Sequence, residues 1–249
     1  MQKLATRRSR PAVFQADSLA GFSLVELLVV IAVISIVVAV GFAGMARAHE
    51  SGRQTECVNN ERQLGLALAQ YAQDNNDLYP NAGAGRGGVN KTGTWIFFST
   101  YDDIGTATRF DPSRGSLYAY IKNSRIYVCP DDIVAHTTGN SYAYNSCLTN
   151  RLPRQMAPHG GLFSGKPVSH FTSSATTLAF GEEDSGVELD GHSTNDGLMN
   201  FPLDGLGYAT RHNGGSNVCL LDGHVKWYPY EKLIALDLEE AVGDTPCDP

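Results

Sequence analysis

The sequence has no Cys-x-x-Cys pair, no Gly-x-Ser-x-Gly elbow and no His-Glu-x-x-His stretch. The first absence leaves no zinc-knuckle or thiol-redox motif, and the other two remove the signatures of α/β-hydrolases and zinc proteases. The chain is therefore not expected to be an enzyme. No segment recurs with a period of 20–50 residues, which argues against a solenoid. Basic residues are scarce, with 19 Lys and Arg against 26 Asp and Glu and a net charge of −7. Nucleic acid, which needs a basic surface, is not an expected partner. No proline falls between residues 22 and 79, and no charged residue between Leu27 and Ala46.

What fills that uncharged stretch is LLVVIAVISIVVAVGFAGMA. Twenty residues at about 1.5 Å each span roughly 30 Å, the thickness of a bilayer core. Before it stand Lys3, Arg7, Arg8 and Arg10 against Asp17 alone, so residues 1–21 carry +3 and the remainder −10. A basic cluster ahead of an apolar span keeps the N-terminus in the cytoplasm and places the acidic remainder across the membrane. Hydropathy alone leaves three readings open. A plain single-pass anchor is one. A secretory signal peptide cut near Ala46-Arg47-Ala48 is another, although this run exceeds the usual 7–15 apolar residues. The third is a specialised membrane helix.

The residues at the entrance separate these readings. They run Gly21-Phe22-Ser23-Leu24-Val25-Glu26-Leu27-Leu28. A carboxylate drawn unpaired into hydrocarbon costs several kcal/mol, so a plain anchor has no reason to hold Glu26 there. The free amine of a newly exposed Phe22 is a natural counter-charge. The pattern resembles the prepilin motif of type IV pilins and type II secretion pseudopilins. The resemblance implies that a prepilin peptidase cuts after Gly21 and methylates Phe22. It also implies that Glu26, fifth in the mature chain, serves assembly with other pilin or pseudopilin subunits through inner-membrane machinery. The chain departs from the family in carrying Ala20 where Lys or Arg is usual.

Cys57, Leu64, Leu68, Tyr71 and Leu78 follow at intervals of 7, 4, 3 and 7, an apolar stripe on one helix face. Asn75-Asn76-Asp77 and Tyr79-Pro80 end that helix. The expectation is one helix over 22–75, with two helices hinged near Gly41–Gly52 as the alternative. Residues 57–68, CVNNERQLGLAL, with Tyr71 and Asp74-Asn75, are similar to the helix end of a large bacterial group of prepilin-type proteins. That group carries a C-terminal signature of His, nine residues and Asp-Gly, here His212, Asp222 and Gly223. Structurally, Asp222-Gly223 reads as a two-residue type I′ hairpin turn between strands at Asn217–Leu221 and His224–Tyr228. His212 is then expected to bond the Gly214-Gly215 loop, with a metal or ligand site as the alternative.

Further strands are expected near Thr94–Phe98, Arg125–Cys129, Ser141–Asn145 and Thr176–Gly181, and short helices at Arg114–Lys122 and Tyr230–Leu238. The fold class is α+β, pilin-like: a long N-terminal helix, transmembrane over 27–46, laid on a small antiparallel sheet. The divisions are a leader at 1–21, the helix at 22–75 and a globular domain at 76–249. Of five cysteines, Cys129 and Cys147 are the expected disulfide, tying neighbouring strands. Acids gather at Asp131-Asp132 and at Glu182, Glu183, Asp184, Asp190, Asp196 and Asp204, and oxygen-rich loops suit Ca²⁺, the one candidate cofactor. The resemblance adds that major pseudopilins bind calcium in a C-terminal loop. The expected function is a subunit of a type II secretion pseudopilus or type IV pilus-like filament, in the inner membrane with its domain in the periplasm or at the cell surface. A membrane-tethered binding module for a glycan or exported substrate is the alternative.

Overall fold

The computed structural model describes residues 21–82, 93–98, 109–150, 165–184, 197–199 and 207–234, without the side chains of 40–47. Two compact units divide the chain, Met1–Arg47 and Ala48–Pro249, and helix α1 (Leu24–Asp74) contributes to both. The helix runs from Leu24 to Asp74 as a single element.

In the first unit, α1 starts on a capping box. The Glu26 N–H donates to Ser23 Oγ at 3.2 Å, and the Ser23 N–H donates to the Glu26 carboxylate at 2.9 Å. Two of the N–H groups that any helix start leaves over are thereby satisfied locally. Every apolar side chain from Leu24 to Val38 is exposed, Leu24 at 78% and Ile34 at 55%. Among the described residues no helix is long and apolar enough to cross a membrane. The described apolar side chains stop at 39, whereas the expected span runs on to 46.

In the second unit the rest of α1 buries one stripe, with Cys57, Leu64 and Leu68 inside and Tyr71 half-buried. Leu78, the last position of the expected stripe, lies past the helix and is partly exposed. The helix ends as expected. Asn76 and Asp77 both turn to φ +56°, which their short polar side chains tolerate, and the Asp77 N–H caps the Ala72 carbonyl at 2.9 Å.

Strands β1 (Phe97–Phe98) and β2 (Phe110–Asp111) form a two-residue antiparallel ribbon. Short helices α2 (Tyr118–Ile121) and α3 (Ala135–Thr138) follow. The main sheet consists of β3 (Tyr142–Asn145), β4 (Leu178–Glu182), β5 (Leu198–Met199), β6 (Gly215–Leu220) and β7 (Val225–Pro229), in the order β5-β3-β4-β6-β7. The class is α+β as expected, but the sheet is not wholly antiparallel. β5 runs against β4 in direction yet joins the far edge of β3, so β3 and β5 pair in parallel. Period-two alternation sends Tyr142, Tyr144 and Phe180 into the α1-side core, where Trp95 stacks between Tyr127 and Tyr144. Ala143, Cys147, Met199, Val218 and Leu233 form the core on the other face.

Several local expectations need correction. Arg125–Cys129 is not a strand: 124–127 is a 3₁₀ turn, because the Asn123 side chain accepts the Arg125 N–H at 3.1 Å and offers the backbone a local partner. The helix expected over Arg114–Lys122 shrinks to α2, since Gly115 is extended and Lys122 is left-handed at φ +53°. Only Phe97–Phe98 of the strand expected at Thr94–Phe98 is strand, and of the helix expected over Tyr230–Leu238, residues 230–234 are described and helical.

Candidate functional site

The C-terminal signature lies along β6 and its turn, and its two ends have different work. His212 is fully buried. Its backbone exchanges hydrogen bonds with Gly215, as the sequence leads one to expect, and its carbonyl accepts the Trp227 indole N–H at 2.7 Å. The ring turns elsewhere. Nε2 lies 3.0 Å from Glu182 Oε1 and 3.4 Å from Cys129 Sγ. Nδ1 faces Asp131 Oδ2 at 3.4 Å and Glu50 Oε1 at 3.6 Å. Arg53 bridges those two carboxylates. Burial opposes a charge on His212, but the Glu182 hydrogen bond and the carboxylates around it outweigh burial and raise its pKa.

Cys129 is not joined to Cys147. It forms a disulfide with Cys57, 72 residues away. The reason is the sheet: Cys57 and Cys129 share the α1 side, whereas Cys147 packs in the opposite core and is engaged in a different disulfide. Among the described residues Cys219 is the free thiol, and burial raises its pKa strongly. Cys57 has no sequence signal that separates it from an ordinary member of the apolar stripe.

Glu182 does not sit in a solvated loop. It is fully buried at the end of β4, where Oε2 accepts the Asn217 N–H at 3.0 Å and the Ser216 hydroxyl at 3.4 Å, and Oε1 accepts the Asn217 side-chain amide at 3.2 Å. Glu183 is buried too, and accepts the Gly197 N–H at 3.0 Å. Asp184 is half-buried, and Asp190, Asp196 and Asp204 lie outside the described residues. Of two further acids near this cluster, Asp131 belongs to the Asp131-Asp132 pair noted in the sequence, whereas Glu61 escaped the sequence reading. Glu61 sits one turn beyond Cys57 on α1, fully buried, and among the described residues neither of its oxygens has a hydrogen-bond partner. Burial first, and Glu182 second, raise its pKa well above the carboxylate range, with Arg211 opposing.

The Asp-Gly end is turn chemistry of a different kind from the expected type I′ loop. The Gly223 N–H donates to the Leu220 carbonyl at 2.9 Å, and the Leu220 N–H to the His224 carbonyl at 2.8 Å. Only Gly223 has positive φ, at +86°, and Asp222 does not. This is a three-residue loop, a type I turn closed by a left-handed glycine. Asp222 accepts the His224 N–H at 3.0 Å and its ring Nδ1–H at 2.7 Å, bonds that lower its pKa. The loop abuts α1 at Gly65, where a Cβ atom meets Cys219 Sγ at 2.8 Å and the Gly223 Cα at 3.6 Å. Glycine there lets helix and hairpin touch.

Gly21, Phe22 and Glu26 are all exposed at the start of α1. The spacing Ser23-Leu24-Val25-Glu26 is a capping-box signal that the processing motif overshadows in the sequence.

An apolar helix opened by a processing-type motif, followed by a small α+β unit, defines a prepilin-like protein. In agreement, the model described as "Prokaryotic N-terminal methylation motif" matches residues 20–42. The model described as "Protein of unknown function (DUF1559)" matches residues 46–200, more than half of the chain. The chain belongs to that family. Its His212–Gly223 signature lies beyond the residues that either model covers. No curated protein and no solved structure matches the chain. The motif marks a membrane-anchored protein whose remainder is periplasmic or surface-exposed.

Proposed function

We propose that the mature chain begins at Phe22 and is a structural subunit of a type II secretion pseudopilus or a type IV pilus-like filament. Prepilin peptidase cuts after Gly21 and methylates Phe22, and the helix from Phe22 to Ala46 first holds the subunit in the inner membrane and then assembles the filament. The methylation motif over residues 20–42, with Glu26 at the helix entrance, carries this reading. The exposed apolar side chains from Leu24 to Val38 support it, because apolar surface of that extent marks contact with lipid or protein. Glu26 then serves twice. It caps its own helix through Ser23, and in the filament it pairs with the Phe22 amine of a neighbouring subunit, which sets the axial stagger. An unpaired charge there is expensive among apolar helices.

N-terminal mass spectrometry of the native membrane fraction tests the processing step. N-methylated Phe22 is the expected start, and a start at His49 overturns the reading in favour of signal-peptide cleavage. Glu26→Gln tests assembly in the same cells. Glutamine retains an acceptor for the Ser23 N–H but no charge, so membrane levels should match the wild type while sheared filaments are lost. Filaments at wild-type levels remove the mechanism.

The second reading, a membrane-tethered binding module for a glycan or exported substrate, has one observation behind it. A cavity of about 770 Å³ is lined by Arg109, Arg114, Arg125 and His136 against two acids, Glu56 and Asp111, together with aromatic side chains. Arg114 lies 3.4 Å over the Phe97 ring. Guanidinium groups and aromatic faces suit an acidic sugar or another carboxylate. A uniform, unassembled membrane distribution favours this module; presence in sheared filaments favours the subunit.

A further inference from the structure

The disulfide between Cys57 and Cys129 is set among metal-ligand chemistry. Cys57 Sγ, Cys129 Sγ, a Glu182 oxygen and a His212 ring nitrogen all lie within 4.8 Å of one another, and all four residues are fully buried. Zinc bound by thiolate, imidazole and carboxylate has bonds of about 2.0–2.3 Å, which sets tetrahedral ligand atoms about 3.3–3.8 Å apart. Glu182 Oε1 and Cys129 Sγ already stand 3.0 and 3.4 Å from His212 Nε2. The two sulfurs must part, and the Glu182–His212 pair must open slightly.

The surroundings are those of a built site. A metal-bound histidine nearly always gives its other ring N–H to a carboxylate, which settles the tautomer and the ring plane. His212 Nδ1 lies 3.4 Å from Asp131 and 3.6 Å from Glu50, near enough for such a bond though none is formed here, and Arg53 holds both of those acids. Glu182 is oriented in turn by the Asn217 N–H and the Ser216 hydroxyl on Oε2. Two thiolates, one carboxylate and a divalent cation sum to −1, and Arg211, itself paired with Asp132 at 3.1 Å, lies nearby. Four elements distant in sequence meet here: α1, the loop after the 124–127 turn, β4 and the entry to β6.

We propose that Cys57, Cys129, His212 and Glu182 form a redox-gated site for zinc or a similar borderline-soft divalent cation, closed as the disulfide and opened by reduction. In the opening step a dithiol gives two electrons to the Cys57–Cys129 bond, leaving two thiols here and a disulfide on the reductant. Binding of the cation then releases both thiol protons to solvent. This assigns His212, the first residue of the C-terminal signature, to a ligand role at Nε2. The inference does not depend on filament assembly.

The test uses the full-length protein in detergent, reduced with a phosphine and titrated with Co²⁺ as a spectroscopic stand-in. One cobalt per chain is expected, with a thiolate-to-metal band in the near ultraviolet and tetrahedral visible absorption, both erased by one equivalent of Zn²⁺. The oxidised protein should show neither. Cys57→Ser and Cys129→Ser should each weaken the thiolate band and the affinity, and His212→Gln should lose the affinity. Cys219→Ser should change nothing. Asp131→Asn, behind the histidine, should cost about 10-fold in affinity. Circular dichroism of each variant separates loss of the site from loss of the fold. If reduction alone loosens the fold, one equivalent of Zn²⁺ should restore it, since a ligand bound only by the folded state stabilises it. A reduced protein that takes up no metal, or a cobalt spectrum unchanged in Cys57→Ser, overturns the proposal.

Discussion

The two stretches of α1 have opposite relations to their surroundings. From Leu24 to Val38 every described side chain is exposed and nearly all are apolar. From Cys57 to Ala72 the stripe residues Cys57, Leu64 and Leu68 are buried and Tyr71 is half-buried, while Leu66 between them stays 61% exposed. The second stretch has found its apolar partner within its own chain. Among the described residues the first has none in its own unit, and exposed apolar surface of that extent suits lipid or other copies.

The largest effect expected from that contrast is in packing. Leu64→Ala, in the closed stripe, should destabilise the protein by about 3 kcal/mol, in the range for a fully buried leucine. Ile34→Ala, in the exposed stretch, should leave the unfolding midpoint of the second unit unchanged. Denaturant unfolding of both variants in detergent checks this, and equal losses break the comparison.

A second prediction sharpens the contrast between the two glutamates of the helix, exposed Glu26 and buried Glu61. The Glu61 carboxyl faces Glu182, Arg211 and Tyr142, and its raised pKa means that the folded protein holds a proton the unfolded chain has released. Between the ordinary carboxylate value and the raised one, the native state binds more protons, so stability falls as pH rises through that window. Glu61→Gln cannot ionise and should lose this dependence, by at most about 1.4 kcal/mol per pH unit. Unfolding free energies at pH 5, 6, 7 and 8 read the slope directly, and parallel curves for variant and wild type sink the assignment.

The smallest effect concerns the close approach at Gly65. Gly65→Ala gains about 1 kcal/mol of helix propensity but forces its new methyl against Cys219 Sγ. In the wild-type background the two nearly offset. With Cys219→Ala the sulfur is gone, and the same substitution should stabilise by about 1 kcal/mol. A double-mutant cycle measures the coupling, and additive effects place the contact elsewhere.

Sequence and structure agree where the cause is local. The end of α1 at Asn75–Asp77 follows from residues that tolerate left-handed backbone, and the Tyr142–Asn145 strand follows from alternating aromatics. They part at 124–127, where β-favouring residues lost to one asparagine cap. They part again at the Asp222-Gly223 turn, where the same dipeptide serves a two-residue or a three-residue loop and the strand register chose the latter. The candidate site was legible only in part. His212 stands out in the sequence, but its partners Glu182, Cys129 and Asp131 read there as parts of other features, and Glu61 looks like an ordinary charged residue.

The sequence by itself determined the N-terminal segment of this protein: the Gly21-Phe22 junction, Glu26 and the uncharged run depend on neighbours within one or two helical turns. Hydropathy and charge along a single segment are enough to state them. Tertiary structure alone decided that Cys57 pairs with Cys129 and that His212 meets Glu182. Those contacts join residues 72 and 30 positions apart, and which side chains meet depends on which face of the sheet each strand presents to α1. That choice is made by closure of the whole core, which no local stretch of chain encodes.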